Sequence, residues 1–237
     1  MLDVHPPHQP AHTWKDFFIH IATIVIGLLI AVGLEQTVEW MHHRHQREQL
    51  QSQLVIEAQN NFELMKLDYI YFDQEAPILA ALRKDAVGLH PSSTPHPVDL
   101  HTIIGAVETF YPDSPVWNTA KEGGVVALLP RRQAAFYDLV YTQQGLMTDE
   151  FHKYDQARAA LGDFSLRYTV GPRQTLDLAG MSPDEARQYL ILLANLQGEL
   201  ARFRAATDYA QGVTQMAAHG ETDEEQAFRK IGVTQRH

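Results

Sequence analysis

Cysteine is absent from the 237 residues of this chain. The protein therefore has no disulfide framework, no thiolate metal ligand and no cysteine nucleophile. Positive charge is also scarce, since 19 Lys and Arg stand against 29 Asp and Glu and give a formal net charge of −10. Because an acidic chain has no general attraction for a phosphate backbone, we expect no nucleic-acid partner.

Sequence motifs of catalysis are missing as well. The chain contains no G-x-S-x-G, no G-x-x-x-x-G-K-[ST], no G-x-G-x-x-G and no H-E-x-x-H pattern. Such patterns build nucleophile elbows, phosphate-binding loops and zinc sites. We therefore expect neither an enzyme activity nor a cofactor.

Histidine, in contrast, is abundant with 13 residues, and its densest group invites a metal hypothesis. On a helix, Glu39 and His43 lie four residues apart, and His42 and His45 lie three apart, so that the two pairs occupy different faces. A metal site needs three or four ligands that meet at one point. We predict no metal site and retain these four residues only as weak candidates; a pH-sensing role for them is a further hypothesis.

The longest apolar run covers residues 17–34 and reads FFIHIATIVIGLLIAVGL, without a formal charge. A membrane-spanning helix needs about 17–25 such residues, and Trp14 and Trp40 flank the run as interfacial aromatics do. We predict a transmembrane helix after a polar tail of residues 1–16. A cleaved signal peptide is the alternative, because Ala31-Val32-Gly33 resembles a small-x-small cleavage site. The helical pattern that continues through Glu35 favours an uncleaved anchor.

One face of this helix carries small and polar residues at steps of three and four. Thr23, Gly27 and Ala31 form a small-x-x-x-small series, which lets two helix backbones approach closely. A histidine on the same face is better accommodated by a partner helix than by lipid. We predict self-association through the transmembrane packing face, which consists of His20, Thr23, Gly27, Ala31 and Glu35.

A second helical segment follows the membrane segment directly. Residues 35–76 contain neither Gly nor Pro, and apolar side chains recur at helical spacing. We predict a stem helix over residues 35–75 that ends before Pro77, because proline removes a backbone donor and disfavours a helix interior. Its apolar stripe is predicted to consist of Leu50, Leu54, Ala58, Phe62, Met65, Tyr69 and Phe72.

The remaining helices form a predicted bundle over residues 76–219, followed by a polar tail over 220–237. The chain shows no heptad repeat longer than that of the stem and no convincing strand pattern, so the fold class is all-α. Turn and capping residues divide the bundle into separate segments. These are a short helix to Gly88, a Pro-rich hinge loop over 90–98, helices over 99–110, 115–123, 130–144, 148–168 and from Ser182 onwards, and a loop over 169–181.

Two stretches carry a resemblance. Residues 14–45, WKDFFIHIATIVIGLLIAVGLEQTVEWMHHRH, and residues 114–130, SPVWNTAKEGGVVALLP, resemble the anchor and a soluble-region motif of a group of uncharacterised bacterial single-pass membrane proteins. The matching positions of the second stretch are Trp117, Thr119, Ala120, Gly124 and Leu128. The resemblance implies an uncleaved anchor in a bacterial inner membrane. It also favours a periplasmic soluble domain, which the nearly balanced Lys and Arg around the apolar run do not decide.

These observations favour a non-enzymatic function. We expect a single-pass protein in the lipid bilayer whose helical domain mediates assembly or contact with an unknown protein partner. The alternative is a helical module that senses a small ligand and signals through a separate partner.

Overall fold

The computed structural model describes residues 14–88, 98–99, 111–171 and 175–222. The chain divides between Gln49 and Leu50 into two compact units. The described residues are predominantly helical, with three strands of only two residues each and short turns between the elements, so the predicted all-α class is confirmed. The predicted hinge and the helix over 99–110 lie almost wholly outside the described residues, as do most of the two predicted tails.

Helix α1, Trp14–Gly88, supplies the described part of the first unit. Residues 14–45 are all exposed, the apolar run over 17–34 included. Among the described residues, α1 is the one helix that is long and apolar enough to cross a membrane, judged by length and composition alone. A signal sequence near an N-terminus has the same properties.

In the second unit, α1 continues through Pro77, so the predicted end of the stem helix near residue 75 and the separate helix to Gly88 are wrong. Pro77 is exposed, and it removes one backbone donor at a cost of about 3 kcal/mol. Leu79 and Leu82 are both buried just beyond it. Each contributes about 1.5–3 kcal/mol by burial, which offsets the loss.

Three further helices complete the described part of this unit. They are α2, Pro115–Glu122; α3, Arg131–Leu166; and α4, Pro183–Ala218, with short 3-10 helices at Val125–Leu128 and Leu178–Gly180. The predicted start of α2 after Ser114 and its end at Gly123 are confirmed. The predicted start of a helix at Ser182 is also confirmed, and a capping box holds it, since Ser182 and Glu185 bond reciprocally at the start of α4.

Helix α3 corrects the prediction of two helices over 130–144 and 148–168. The Thr148 hydroxyl donates to the carbonyl of Gln144 at 3.1 Å inside a continuous helix, and it does not cap a new one. Gly145 costs about 1 kcal/mol in a helix interior. Buried Gln144 and Met147 on either side of it hold the helix together by tertiary packing.

The long helices α1, α3 and α4 pack as a bundle around an apolar core. Hydrogen bonds from Gln51 to Gln133 and from Asn61 to Gln144 show that α1 and α3 run parallel. The bond from Gln144 to Thr214 and the contact of Phe164 with Tyr189 show that α4 runs antiparallel to α3. The bundle prediction is therefore confirmed.

All three helices bury residues at alternating steps of three and four, which is a heptad repeat. The repeats of α3 and α4 are as long as that of α1, and they were not expected from the sequence because polar residues interrupt them. The buried positions are Leu54, Ala58, Asn61, Met65, Asp68, Phe72, Glu75, Leu79 and Leu82 in α1; Tyr137, Val140, Gln144, Met147, Phe151, Tyr154, Arg158, Leu161 and Ser165 in α3; and Tyr189, Leu193, Leu196, Leu200, Phe203, Thr207, Ala210, Thr214 and Ala217 in α4.

The predicted loop over 169–181 contains structure as well. Strands β1 (Val98–Asp99), β2 (Thr169–Val170) and β3 (Thr175–Leu176) form an antiparallel sheet in the order β1-β3-β2. Val98 and Thr169 both pair with Leu176. Strands of two residues leave no period-2 pattern in a sequence, which is why none was evident.

Candidate functional site

A row of polar side chains lies inside the bundle. Asn61, Asp68 and Glu75 occupy every seventh position of α1 and are each no more than 4% exposed. The predicted apolar stripe placed Phe62 and Tyr69 on this side of the helix, but both are only partly buried beside the core. Helix α1 therefore turns polar residues toward its partners at the centre of the bundle, and we call these three residues the polar row.

Asn61, at the N-terminal end of the polar row, and Glu57, one helical turn before it, hold the segment that leads into α2. Glu57 Oε2 accepts the backbone N–H of Val116 at 2.7 Å, and its Oε1 accepts the hydroxyl of Tyr141. Asn61 pairs with both backbone groups of Asp113: its Nδ2 donates to the carbonyl at 2.7 Å, and its Oδ1 accepts the N–H at 3.0 Å. Burial raises the pKa of the Tyr141 hydroxyl far above its ordinary value, and the hydrogen bond to the Glu57 carboxylate and its negative charge raise it further.

Ser114 does not cap α2 with its side chain. Glu57 takes that role from another helix, because it satisfies a free N–H in the first turn and places negative charge at the positive end of α2. The start of α2 is thus held by α1, which a local reading of the sequence does not reveal.

The five motif residues of the resemblance lie in α2 and in the short stretch that follows it, up to the 3-10 helix Val125–Leu128. Trp117 and Ala120 are buried, and the Trp117 ring stacks on Tyr141 with centroids 5.2 Å apart and planes 10° apart. Gly124 has φ of 71°, a left-handed conformation that favours glycine, and it starts the 3-10 helix that contains half-buried Leu128. Thr119 and Gly124 are both exposed, so among the five motif positions only Trp117, Ala120 and, in part, Leu128 pack into the bundle. The motif therefore packs α2 and the following 3-10 helix against the core of the bundle.

Glu75, at the C-terminal end of the polar row, forms a buried charge pair with Arg158. Glu75 Oε1 accepts the Tyr154 hydroxyl at 3.1 Å and lies 4.0 Å from Arg158 Nε. Both charged side chains are less than a tenth exposed. Burial raises the pKa of Glu75, although Arg158 and the Tyr154 hydroxyl both act to lower it. The pair is therefore an ion pair in a poorly solvated place.

The predicted transmembrane packing face lies on the exposed part of α1. The Thr23 hydroxyl donates to the carbonyl of Ile19 at 2.8 Å, so its polar group is satisfied within the helix. A Cβ added at Gly27 would meet nothing within 4 Å. Nothing in the described chain thus requires a glycine at this position, and His20, Ala31 and Glu35 are likewise exposed.

The weak metal candidates lie further along the same exposed stretch. The rings of His42 and His43 are 6.4 Å apart, and Glu39 and His45 are exposed like them. Across the part of the chain that the structure describes, no group of three His, Asp or Glu side chains is placed to hold a metal ion.

Sequence reasoning missed the polar row and Arg158. The signal that was available is the seven-residue spacing of Asn61, Asp68 and Glu75, in register with Leu54 and Leu82. A search for apolar side chains alone passes over it, because the neighbouring Phe62 and Tyr69 also fit helical spacing.

Comparison with known proteins adds no assignment to this geometry. No protein-family model, no curated protein and no solved structure matches the chain.

Proposed function

We propose that this chain is a single-pass membrane protein whose helical bundle mediates assembly or contact with a protein partner at a bacterial inner membrane. The observation that carries the proposal is the exposure of the apolar run over 17–34 on helix α1. Leu29 and Ile24 in this run are 66% and 69% exposed. A soluble protein buries such side chains, and a bilayer is the surrounding that removes this much apolar surface from water.

The small residues of the transmembrane packing face support assembly within the membrane. Because lipid is as apolar as leucine, helices associate there by close packing and polar contacts. Gly27 meets nothing of its own chain within 4 Å, so its face is free to pack against a second copy of α1. Oligomerisation then brings several bundles to the same place on the membrane surface.

The buried polar groups of the bundle hold its helices together, which favours a binding role over catalysis. Its buried polar groups Glu57 and Asn61 are engaged in holding α2, and Glu75 is engaged with Tyr154 and Arg158. We assign the periplasm as its compartment on the resemblance of residues 14–45 and 114–130 alone.

Membrane topology is the experiment that tests the proposal. The chain has no native cysteine, so Ala159→Cys on the exposed side of α3 and Ala11→Cys before the apolar run give two clean probes. Intact cells are treated with a membrane-impermeant thiol reagent, and permeabilised cells serve as the reference. We expect labelling of the cysteine at position 159 in intact cells and labelling at position 11 only after permeabilisation. Release of the protein by carbonate washing, or labelling of both positions in intact cells, would contradict an anchored chain.

A further inference from the structure

A groove of about 250 Å³ lies between α1 and α4 in the bundle. Its volume is slightly below the roughly 300–1,000 Å³ of typical small-molecule sites. Helix α1 contributes Phe72, Ala76 and Leu79, and α4 contributes Leu200, Ala201 and Arg204.

Small residues on both helices create this groove. Ala76 and Ala201 leave room where larger side chains would meet, and Pro77 follows in α1 at a point where the helix loses one backbone hydrogen bond. The floor is apolar, because Phe72, Leu79 and Leu200 belong to the buried core. A ligand in the groove would therefore bury a short apolar body against a preformed surface.

Cationic groups stand at both ends of the groove. At one end, Arg204 lies over the Phe72 ring at 5.9 Å and has Asp73 as a carboxylate neighbour, with 3.9 Å between Nη2 and Oδ1. That distance is outside hydrogen-bond range, and both side chains are well exposed, so the pair is weak. At the other end, Arg83 Nη1 donates to Oε1 of Gln197, a residue that also lines the groove.

We propose that this groove binds a small amphiphilic carboxylate, with an alkyl chain over the apolar floor and the carboxylate paired with Arg204. A guanidinium presents parallel N–H donors that match a carboxylate in a bidentate pair. The ligand carboxylate replaces the weak contact with Asp73, while Gln197 and Arg83 bound the opposite end. This binding function is independent of the membrane anchor, because every residue that it uses belongs to the bundle.

Octanoate binding to the full-length protein in zwitterionic nanodiscs tests the proposal by equilibrium dialysis, with empty nanodiscs as the blank and 1-octanol as the uncharged counterpart. We expect saturable binding of one octanoate per chain and weaker binding of 1-octanol. Arg204→Gln should weaken octanoate binding about fivefold, as an exposed charge pair allows, and make the two compounds equivalent. Arg187→Gln, which removes an exposed arginine elsewhere on α4, should leave binding unchanged.

Filling the groove supplies the second test. Ala201→Leu and, separately, Ala76→Leu should abolish the binding of both compounds while the helical circular dichroism spectrum is retained. Ala76 and Ala201 are both exposed, so each leucine variant should fold, and the two variants fill the groove from opposite walls. Binding no greater than that of empty nanodiscs would overturn the proposal. So would octanoate binding that survives Ala76→Leu, or 1-octanol binding as tight as that of octanoate in the unaltered protein.

Discussion

The pair of Glu75 and Arg158 illustrates what a buried charge does in this bundle. Desolvation raises the pKa of Glu75, so the folded protein favours the protonated carboxyl more than the unfolded chain does. Glu75 therefore lowers the free energy of unfolding as the pH rises above its unfolded pKa of about 4.3 and through its higher folded pKa. Arg158 limits this cost, since its charge lies 4.0 Å away.

Removing one member of the pair should therefore be worse than removing both charges. We expect Arg158→Met to lower the free energy of unfolding at pH 7 by about 3 kcal/mol, because it leaves Glu75 buried without a cation. The double variant Glu75→Gln and Arg158→Met should recover most of this loss, since the introduced amide keeps an acceptor for the Tyr154 hydroxyl. Urea unfolding of the detergent-solubilised protein, followed by circular dichroism, measures both. A double variant less stable than Arg158→Met alone would contradict this account.

At the same scale, the sequence is a good guide to the apolar side chains that face inward and a poor guide to the polar ones. Five residues of the predicted apolar stripe are buried, namely Leu50, Leu54, Ala58, Met65 and Phe72. Apolar spacing selects Phe62 and Tyr69, yet Asn61 and Asp68 hold the buried positions. The two aromatic side chains cover the edge of the core: Lys66 Nζ lies 4.3 Å from the Phe62 ring centroid, and the Tyr69 hydroxyl donates to Asp208. Buried polar groups depend on partners from distant helices, and those partners are invisible to a local pattern.

At the scale of single elements, the start of α4 is governed by local chemistry. The Ser182 hydroxyl and backbone both bond to the Glu185 carboxylate, and the Glu185 N–H bonds back to the hydroxyl. Hydrogen bonds from the Ser182 hydroxyl, the Tyr168 hydroxyl and the Ser182 backbone lower the pKa of Glu185 to about 2. Its stabilising contribution is thus complete above the unfolded pKa of about 4.3 and is lost as the pH falls toward 2.

Ser182→Ala should therefore lower the free energy of unfolding at pH 7 by about 1 kcal/mol, as the loss of a helix cap does elsewhere. Glu185→Gln should also reduce the fall in melting temperature between pH 5 and pH 2.5, because a neutral amide has no proton to gain there. Thermal melts at several pH values measure this. The matched control is Glu63→Gln, which removes an exposed carboxylate from α1. An equal reduction in both variants would show that net charge, and not the cap, sets the acid sensitivity.

The ends of helices were predictable where local bonds decide them, as at Ser182 and Gly123. They were not predictable where packing overrides a local breaker. Pro77 and Gly145 both disfavour a helix interior, but α1 and α3 run through them because buried side chains continue on either side. The cap that Glu57 gives to α2 belongs to the same class, since it joins residues 59 positions apart.

For the whole molecule, the all-α class was predictable because helical periodicity, caps and scarce strand patterns agree. The seven-residue repeat shared by three helices was not, since Gln144, Arg158, Thr207 and Thr214 occupy positions where a pattern search expects apolar residues. Such a bundle closes its buried seams within one chain. Association between chains must then use surfaces outside those seams. Among the described residues, the helical stretch over 14–45 holds most of the exposed large apolar side chains.

We therefore expect self-association to depend on the transmembrane packing face and to respond to Gly27 but not to Gly33. Both glycines lie on the apolar run, and a Cβ at either would meet nothing within 4 Å of its own chain. Only Gly27 shares a face with Thr23 and Ala31, so leucine there separates two helix backbones while leucine at position 33 points elsewhere. Ala31→Cys supplies a disulfide reporter of the dimer in membranes. Gly27→Leu should remove most of the crosslinked dimer, and Gly33→Leu should leave it in place; equal crosslinking in the two variants would exclude this face as the contact.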